Sequence, residues 1–294
     1  MTTAIYASRA GLKVALIERG LYGGQLHNTD VVENYTGFTS ISSIELSERM
    51  QEHVMAQDTI DTLYANIKKV NKVDGIFELV TRKDVIRSKT VVIATGVKHK
   101  KLGVPGEKEF DGRGVSYCSV CDGTFFKGRN VAVIGGGDSA VESAIYLANI
   151  VDQVTIVHRR GTLRAEKVLQ DRLFKLPNVK VIWDATVKEI TGDGKVSSVT
   201  LEHGYGGETT EFPVEGVFVN IGMIPVTEPF SSLGIFILDE EGFVITDSRM
   251  ATVQDGVYAI GDVRSDSIRQ VVTATGDGAM ASESIVNYLQ ATNA

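Results

Sequence analysis

The 294-residue chain is poor in cysteine, with two, and in proline, with five, and it has no excess of basic residues. Two cysteines cannot make a disulfide scaffold, so folding must rest on an apolar core. At 43% hydrophobic residues the chain is long enough for about two domains and a sizeable core. Five prolines against 30 glycines fit a compact α/β protein with many tight turns. Thirty Lys and Arg against 37 Asp and Glu leave a formal charge of −7, which argues against a nucleic-acid partner. No apolar run approaches a membrane span, and no basic stretch followed by an apolar one marks a signal peptide. A cytoplasmic protein without a membrane partner is expected. With no further cysteines and no paired histidines nearby, a structural zinc lacks its four ligands, and no metal is expected.

What is present is concentrated. Both cysteines lie in Tyr117-Cys118-Ser119-Val120-Cys121-Asp122-Gly123. Two inert buried thiols would be the bland reading. The spacing also allows a short redox disulfide, and Asp122 beside Cys121 is placed to shuttle the proton that thiolate chemistry requires. Ten residues after Cys121 begins Val131-Ala132-Val133-Ile134-Gly135-Gly136-Gly137-Asp138-Ser139-Ala140. Gly135-x-Gly137-x-x-Ala140 follows a strand and opens a helix, the context of a dinucleotide phosphate turn. At the end of the next strand, where an acid would bind an unphosphorylated ribose, stands His158, followed by Arg159, Arg160 and Arg164. Loss of the acid and gain of guanidinium groups favour a 2′-phosphate, hence NADPH over NADH.

Periodicity predicts helices over residues 1–10, 43–57, 139–149 and 276–289, with Ile44, Met50 and Val54 on one side of the second. Strands are expected at 13–18, 76–81 paired antiparallel with 83–87, 90–96, 130–134, 153–158 and 217–222. Antiparallel strands turn at Gly192-Asp193-Gly194 and Tyr205-Gly206-Gly207. Segments 103–114 and 225–229 read as crossings between two domains.

The chain repeats itself. Residues 4–19 align without gaps on 144–159 at a constant shift of 140, and 91–96 resembles 217–222. Two nucleotide-binding units of one plan are expected, the second inserted in the first. The strand and glycine turn of the second unit, residues 131–140, would fall before residue 1 in the first. Met1 is therefore read as an internal methionine of a longer protein, and the first unit's sheet is expected to be split. Glu18 is the equivalent acid in the first unit, either placed for adenosine ribose hydroxyls or an ordinary surface glutamate. Asp262, after an apolar strand, is placed for a ribityl or ribose hydroxyl, or to cap the following segment.

Taken together, Tyr-Cys-x-x-Cys-Asp-Gly at 117–123, Gly-Gly-Gly-Asp-Ser-Ala at 135–140, His-Arg-Arg-x-x-x-Arg at 158–164 and Gly-Asp-Val-Arg at 261–264 followed by Arg269-Gln270-Val271 resemble the low-molecular-weight, bacterial-type thioredoxin reductases. The resemblance spans essentially the whole chain. It implies two Rossmann-like domains of the FAD/NAD(P)-linked reductase fold. The FAD-binding domain would be 1–103 with 227–294, and the NADPH-binding domain carrying the Cys pair would be 104–226. It implies a homodimeric flavoprotein that passes electrons from NADPH through FAD to a Cys118–Cys121 disulfide and on to thioredoxin or a similar small dithiol protein. Cys121 would lie against the flavin, Cys118 would attack the partner disulfide, and Asp122 would donate the proton. Glu18, Gly23, Gly24, Gln25, Asn34, Thr95, Gly96, Asp262, Arg269, Gln270 and Val271 would line FAD. Gly135, Gly137, Asp138, Ser139, Ala140, His158, Arg159, Arg160 and Arg164 would bind NADPH. The inserted domain would rotate about segments near 102–112 and 222–227. Two other readings stay open: a flavoprotein reductase serving a peroxidase, and a flavin-free NADPH-binding or thiol-sensing protein.

Overall fold

A computed structural model describes residues 1–28, 31–233 and 238–292. The chain forms two units, one of residues 1–98 with 224–294, the other of residues 99–223. In chain order the elements are α1 (Thr2–Arg9), β1 (Val14–Glu18), β2 (Val31–Val32), β3 (Ile41–Ser42), α2 (Ser43–Met55), β4 (Ile60–Tyr64), β5 (Lys69–Val73), β6 (Ile76–Val80), β7 (Val85–Ser88), β8 (Val91–Ile93) and β9 (Val97–His99). Next come β10 (Val115–Ser116), α3 (Ser119–Asp122), β11 (Asn130–Gly135), α4 (Asp138–Ala148), β12 (Gln153–Val157), α5 (Lys167–Leu173), β13 (Val179–Ile182), β14 (Ala185–Asp193), β15 (Lys195–His203), β16 (Thr209–Pro213) and β17 (Gly216–Asn220). The last are β18 (Met223–Pro225), β19 (Val257–Ala259) and α6 (Val271–Thr292).

The second unit is a three-layer α/β domain. Its five-stranded sheet has the order β10-β17-β11-β12-β13, all pairs parallel. Near-continuous apolar runs in β11, β12 and β17 suit strands covered on both faces. Alternation sorts them: Val131, Val133, Val154, Ile156 and Phe218 pack under α4 and α5. Ala132, Ile134, Val157, Val217 and Val219 pack against the antiparallel sheet β14-β15-β16. Both faces are fully dry, and these layers fix β11 and the turn that follows it.

The first unit follows the same plan with its sheet in two pieces. By the repeat, β1 corresponds to β12 and β8 to β17, which flank β11 in the second unit. Here β1 pairs only with β4, and β8 only with β19, both parallel. Among the described residues no strand joins the two pieces, as the repeat anticipates. Val91, Ile93, Val257 and Ala259 pack against β5 and β6, whereas Tyr258 and Ile260 pack against α6.

Several expectations need correction. In α2 the buried face is Ser43, Leu46, Ser47 and Val54, while Ile44 is half exposed. The helix starts where Ser42 caps Glu45, a capping-box pattern that sets the face one position off the expected one. Helix α6 begins at Val271, five residues before the expected start, because Thr273 Oγ1 accepts the Gln270 N–H and organises its first turn despite Gly276 and Gly278. The strand β5 lies beside β6 and was not expected. The unit division falls at 98/99 and 223/224, a few residues before each expected crossing. Residues 102–112 fold with the second unit: the Ile190 N–H donates to Pro105 O, and a Cβ on Gly106 would lie 1.9 Å from Ile190 O. The segments that cross are β9 and β18, which are neighbours in a two-stranded sheet.

Candidate active site

The two cysteines form a disulfide across the single turn α3, with Cys118 as its N-cap. Cys118 is half buried and Cys121 is exposed. The turn is anchored from below, because Ser119 Oγ meets Ser143 Oγ on α4 at 3.1 Å. The Cys121 N–H points at Cys118 Sγ, 3.1 Å away. A backbone donor thus faces this sulfur across the turn. Asp122 closes the turn, with Oδ2 held 2.7 Å from Ser116 Oγ.

A second cluster fixes the residue before Cys118. Glu107 is buried, yet no cation pairs with it among the described residues. Instead it accepts the N–H groups of Leu102 and Gly103 and the hydroxyl of Tyr117, each at 2.7 Å. Three donors of this kind are what a buried carboxylate needs. Burial, then the Glu107 carboxylate, holds the Tyr117 phenol well above its usual range. Lys101 Nζ lies 3.5 Å from the centre of the Tyr117 ring, which adds a cation–π contact.

The glycine turn of the second unit has a physical reason at each small residue. A Cβ on Gly135 would lie 2.2 Å from Asn220 O and 2.9 Å from Ala140 Cβ, and Ala140 is itself fully buried. Gly137 caps α4 without a side-chain hydrogen bond, and the space beside it is open. The Asp138 and Ser139 N–H groups, with no partner among the described residues, are therefore available to a phosphate, while the Ala140 N–H donates to Gly137 O. Asp138 is engaged otherwise: its Oδ1 accepts the Glu166 N–H. Ser139 follows Asp138 in the first turn of α4. His158 lies beneath the turn, 5% exposed, with its ring where a Gly136 Cβ would go. Burial holds it below its usual pKa, and its Nε2 has no hydrogen-bond partner among the described residues. Arg159, Arg160 and Arg164 are exposed. These residues fit a phosphorylated dinucleotide, with cationic groups at the rim and a neutral imidazole below.

In the first unit the candidate residues fall into small groups. Glu18 ends β1, and its Oε1 accepts the N–H groups of Arg19 and Gly20 at 2.7 and 2.8 Å. Oε2 has no partner among the described residues and suits a hydroxyl. Gly23 turns at φ +110°, and a Cβ there would lie 2.2 Å from Ser47 Oγ. Gly24 follows it, and Gln25 Nε2 donates to Val97 O. Thr95 Oγ1 donates to Val226 O, and Gly96 O accepts the Val226 N–H. Asn34 Nδ2 donates to Gln270 Oε1 at 2.9 Å, and Val271 packs with Val32, Ile41 and Leu46. Arg269 adopts φ +55° and lies over the Phe243 ring. Asp262 is half buried with no hydrogen-bond partner among the described residues, and burial raises its pKa. An unpartnered carboxylate of this kind fits a polyhydroxylated ligand. Ser116, Glu107 and Asp277 emerge only from the structure, which also shows what Arg264 of the Gly-Asp-Val-Arg motif holds. Asp277 accepts both the Gly261 N–H and the Arg264 guanidinium, behind Asp262.

Two nucleotide-binding units, one carrying a disulfide one residue from an acid, define a pyridine-nucleotide-linked disulfide oxidoreductase. The description of the pyridine nucleotide-disulphide oxidoreductase family matches residues 1–278. The thioredoxin reductase of Bacillus subtilis (strain 168) is 50% identical over 293 residues, 99% of this chain and 91% of that protein. The crystal structure of Lactococcus lactis thioredoxin reductase superposes with TM-score 0.95 at 43% identity, covering 98% of this chain and 95% of that one. That of T. acidophilum thioredoxin reductase gives 0.92 at 38% identity, covering 99% and 94%. The chain belongs to the bacterial-type, low-molecular-weight thioredoxin reductases. Enzymes of this family use FAD and NADPH.

Proposed function

We propose that this chain is an NADPH-dependent thioredoxin-disulfide reductase working through Cys118 and Cys121. The observation that carries this reading is the disulfide on α3, with the Asp122 carboxylate held at its base, in the unit that also presents the uncapped glycine turn. Gly135, Gly137, Ser139 and the first turn of α4 receive the pyrophosphate. Arg159, Arg160 and Arg164 pair with the 2′-phosphate. Asp138 shapes the rim by holding Glu166, and Ala140 and His158 support the turn from below. Glu18, Gly23, Gly24, Gln25, Asn34, Thr95, Gly96, Asp262, Arg269, Gln270 and Val271 hold FAD in the first unit. FAD, when bound, supplies the two-electron chemistry that connects a nicotinamide to a disulfide.

Once the pair is reduced, Cys118 attacks the partner disulfide, Cys121 resolves the mixed disulfide, and Asp122 carries the proton. The acid follows Cys121 in the chain and is held through Ser116 to the backbone of Cys118. The partner is thioredoxin or a similar small dithiol protein. The family resemblance supports a cytoplasmic homodimer, and the net charge of −7 disfavours a nucleic-acid partner. Among the described residues no helix is long and apolar enough to cross a membrane, and no His, Cys, Asp or Glu cluster is set to hold a metal.

The test is reduction of thioredoxin by NADPH with the FAD-loaded protein. Cys118→Ser or Cys121→Ser should abolish it while NADPH still binds. Turnover of thioredoxin by either variant would end the reading.

A further inference from the structure

We propose that Ser116 is a positioning residue for proton transfer, holding the Asp122 carboxylate in register with the redox pair. The inference rests on Asp122 being the proton carrier.

Ser116 is 4% exposed and ends β10, where it is paired with Phe218 of β17. Its backbone is thus part of the sheet and does not depend on the cysteine loop. Its hydroxyl has three neighbours. Asp122 Oδ2 lies at 2.7 Å, Cys118 O at 3.2 Å, and the Cys118 N–H donates to it at 3.1 Å. A hydroxyl has one proton to give, and the shorter, charged acceptor takes it. One oxygen on a rigid strand therefore joins the carboxylate of Asp122 to the backbone of Cys118. Oδ2 is occupied, and Oδ1 has no partner among the described residues. The acid is held by one oxygen and left open at the other, the arrangement a proton carrier needs. Removing the hydroxyl frees the carboxylate to rotate about its side-chain bonds and removes the acceptor of the half-buried Cys118 N–H.

The step it serves is balanced within the dithiol and its partner. Cys118 Sγ attacks the partner disulfide. A Cys118–partner bond forms, the partner S–S bond breaks, and the leaving sulfur takes a proton. Cys121 Sγ then attacks Cys118 Sγ, the intramolecular disulfide closes, and the second partner sulfur leaves and takes a proton. Two electrons and two protons pass from the enzyme dithiol to the partner.

The experiment isolates this half-reaction. Protein reduced with dithiothreitol and desalted without oxygen is mixed with oxidised thioredoxin, an alkyl disulfide, or with 5,5′-dithiobis(2-nitrobenzoate), an aromatic one. The aromatic thiolate is a far better leaving group and needs no proton to depart. A positioned acid is worth about 10²–10⁴-fold, so losing its alignment should cost roughly tenfold. Ser116→Ala should slow exchange with thioredoxin by about that factor, in the saturating rate and not in half-saturation. It should leave the aromatic reaction within about twofold. Ser116→Thr should retain most of the rate. In an Asp122→Asn background, Ser116→Ala should add nothing. Asp122→Glu, which leaves β10 intact and moves the carboxylate off Ser116, should show the same split between disulfides and stands in if Ser116→Ala does not fold. Equal slowing of both disulfides, or additive losses in the double variant, would overturn the inference. A slow Asp122→Asn beside a fast Ser116→Ala overturns this inference alone. An Asp122→Asn of full rate with thioredoxin overturns the parent reading of the acid.

Discussion

At Gly136 an alanine Cβ would lie 2.4 Å from the His158 ring, which is buried and cannot step aside. Gly136→Ala should cost about 1–3 kcal/mol of stability, as overpacking does. It should also weaken NADPH binding at least about tenfold, because the turn that presents the first N–H groups of α4 must shift. Equilibrium dialysis with NADPH and a thermal melt read the two effects separately. The same ring makes a pH prediction. Burial lowers its pKa from the usual 6.5. Above 6.5 the imidazole is neutral whether the chain is folded or not, so it has no effect. As pH falls below 6.5 the unfolded chain takes up a proton that the folded one resists, and stability drops. His158→Gln should therefore flatten the loss of melting temperature on going from pH 7 to pH 5. An unchanged slope would show that the ring is protonated in the fold. The glycine turn after β11 was legible in the sequence, because a strand, a run of small residues and a helix form a local pattern. Ser116 and Glu107 were not. Their roles depend on distant partners, Asp122 and the Leu102–Gly103 backbone, and a serine or glutamate leaves no spacing signature of those.

Between α6 and the segment after β19, Asp277 and Arg264 form an ion pair with side chains 12% and 15% exposed, and Asp277 also accepts the Gly261 N–H. This pair ties the long helix to the strand end that carries Asp262. Removing one partner of a buried pair leaves an uncompensated charge. Asp277→Ala should cost about 3 kcal/mol in urea denaturation. It should weaken retention of FAD more than that of NADPH, because the damage falls in the first unit. Equal loss of both would place the pair outside any cofactor site. Elements with a strong period were legible: α1, β1, β8, β11, α4, β12 and the antiparallel strands around Gly194. Those set by contact were not. The expected start of α6 at Gly276 lies inside the helix, and Gly278 lies against α1, where a Cβ would be 3.0–3.1 Å from Thr2 and Thr3. Gly278 serves close helix packing, not a turn. The α2 face was misread because Ile44 is apolar and exposed while Ser43 and Ser47 are buried; burial follows the cap, not hydropathy.

Over the whole molecule, the internal repeat was the most informative property of the sequence. It anticipated two units of one plan and a first sheet in two pieces, and the strand ladders show both. The unit limits were less visible. Residues 102–112 contain glycine, proline and charge, and read as a linker, but Glu107 and Gly106 bind them to the second unit. The glycine turn after β11, the cysteine pair and Asp122 thus share one unit, while the other carries Glu18 at the end of β1 and Asp262 after β19.

The central claim is that electrons from NADPH reach the sulfurs of Cys118 and Cys121. The most direct measurement is an anaerobic thiol titration of the FAD-loaded protein before and after one equivalent of NADPH, with alkylated residues located by mass spectrometry. The account predicts two new thiols per chain, at Cys118 and Cys121, with NADPH consumed in equal amount. NADPH oxidised with the Cys118–Cys121 bond left intact would contradict it.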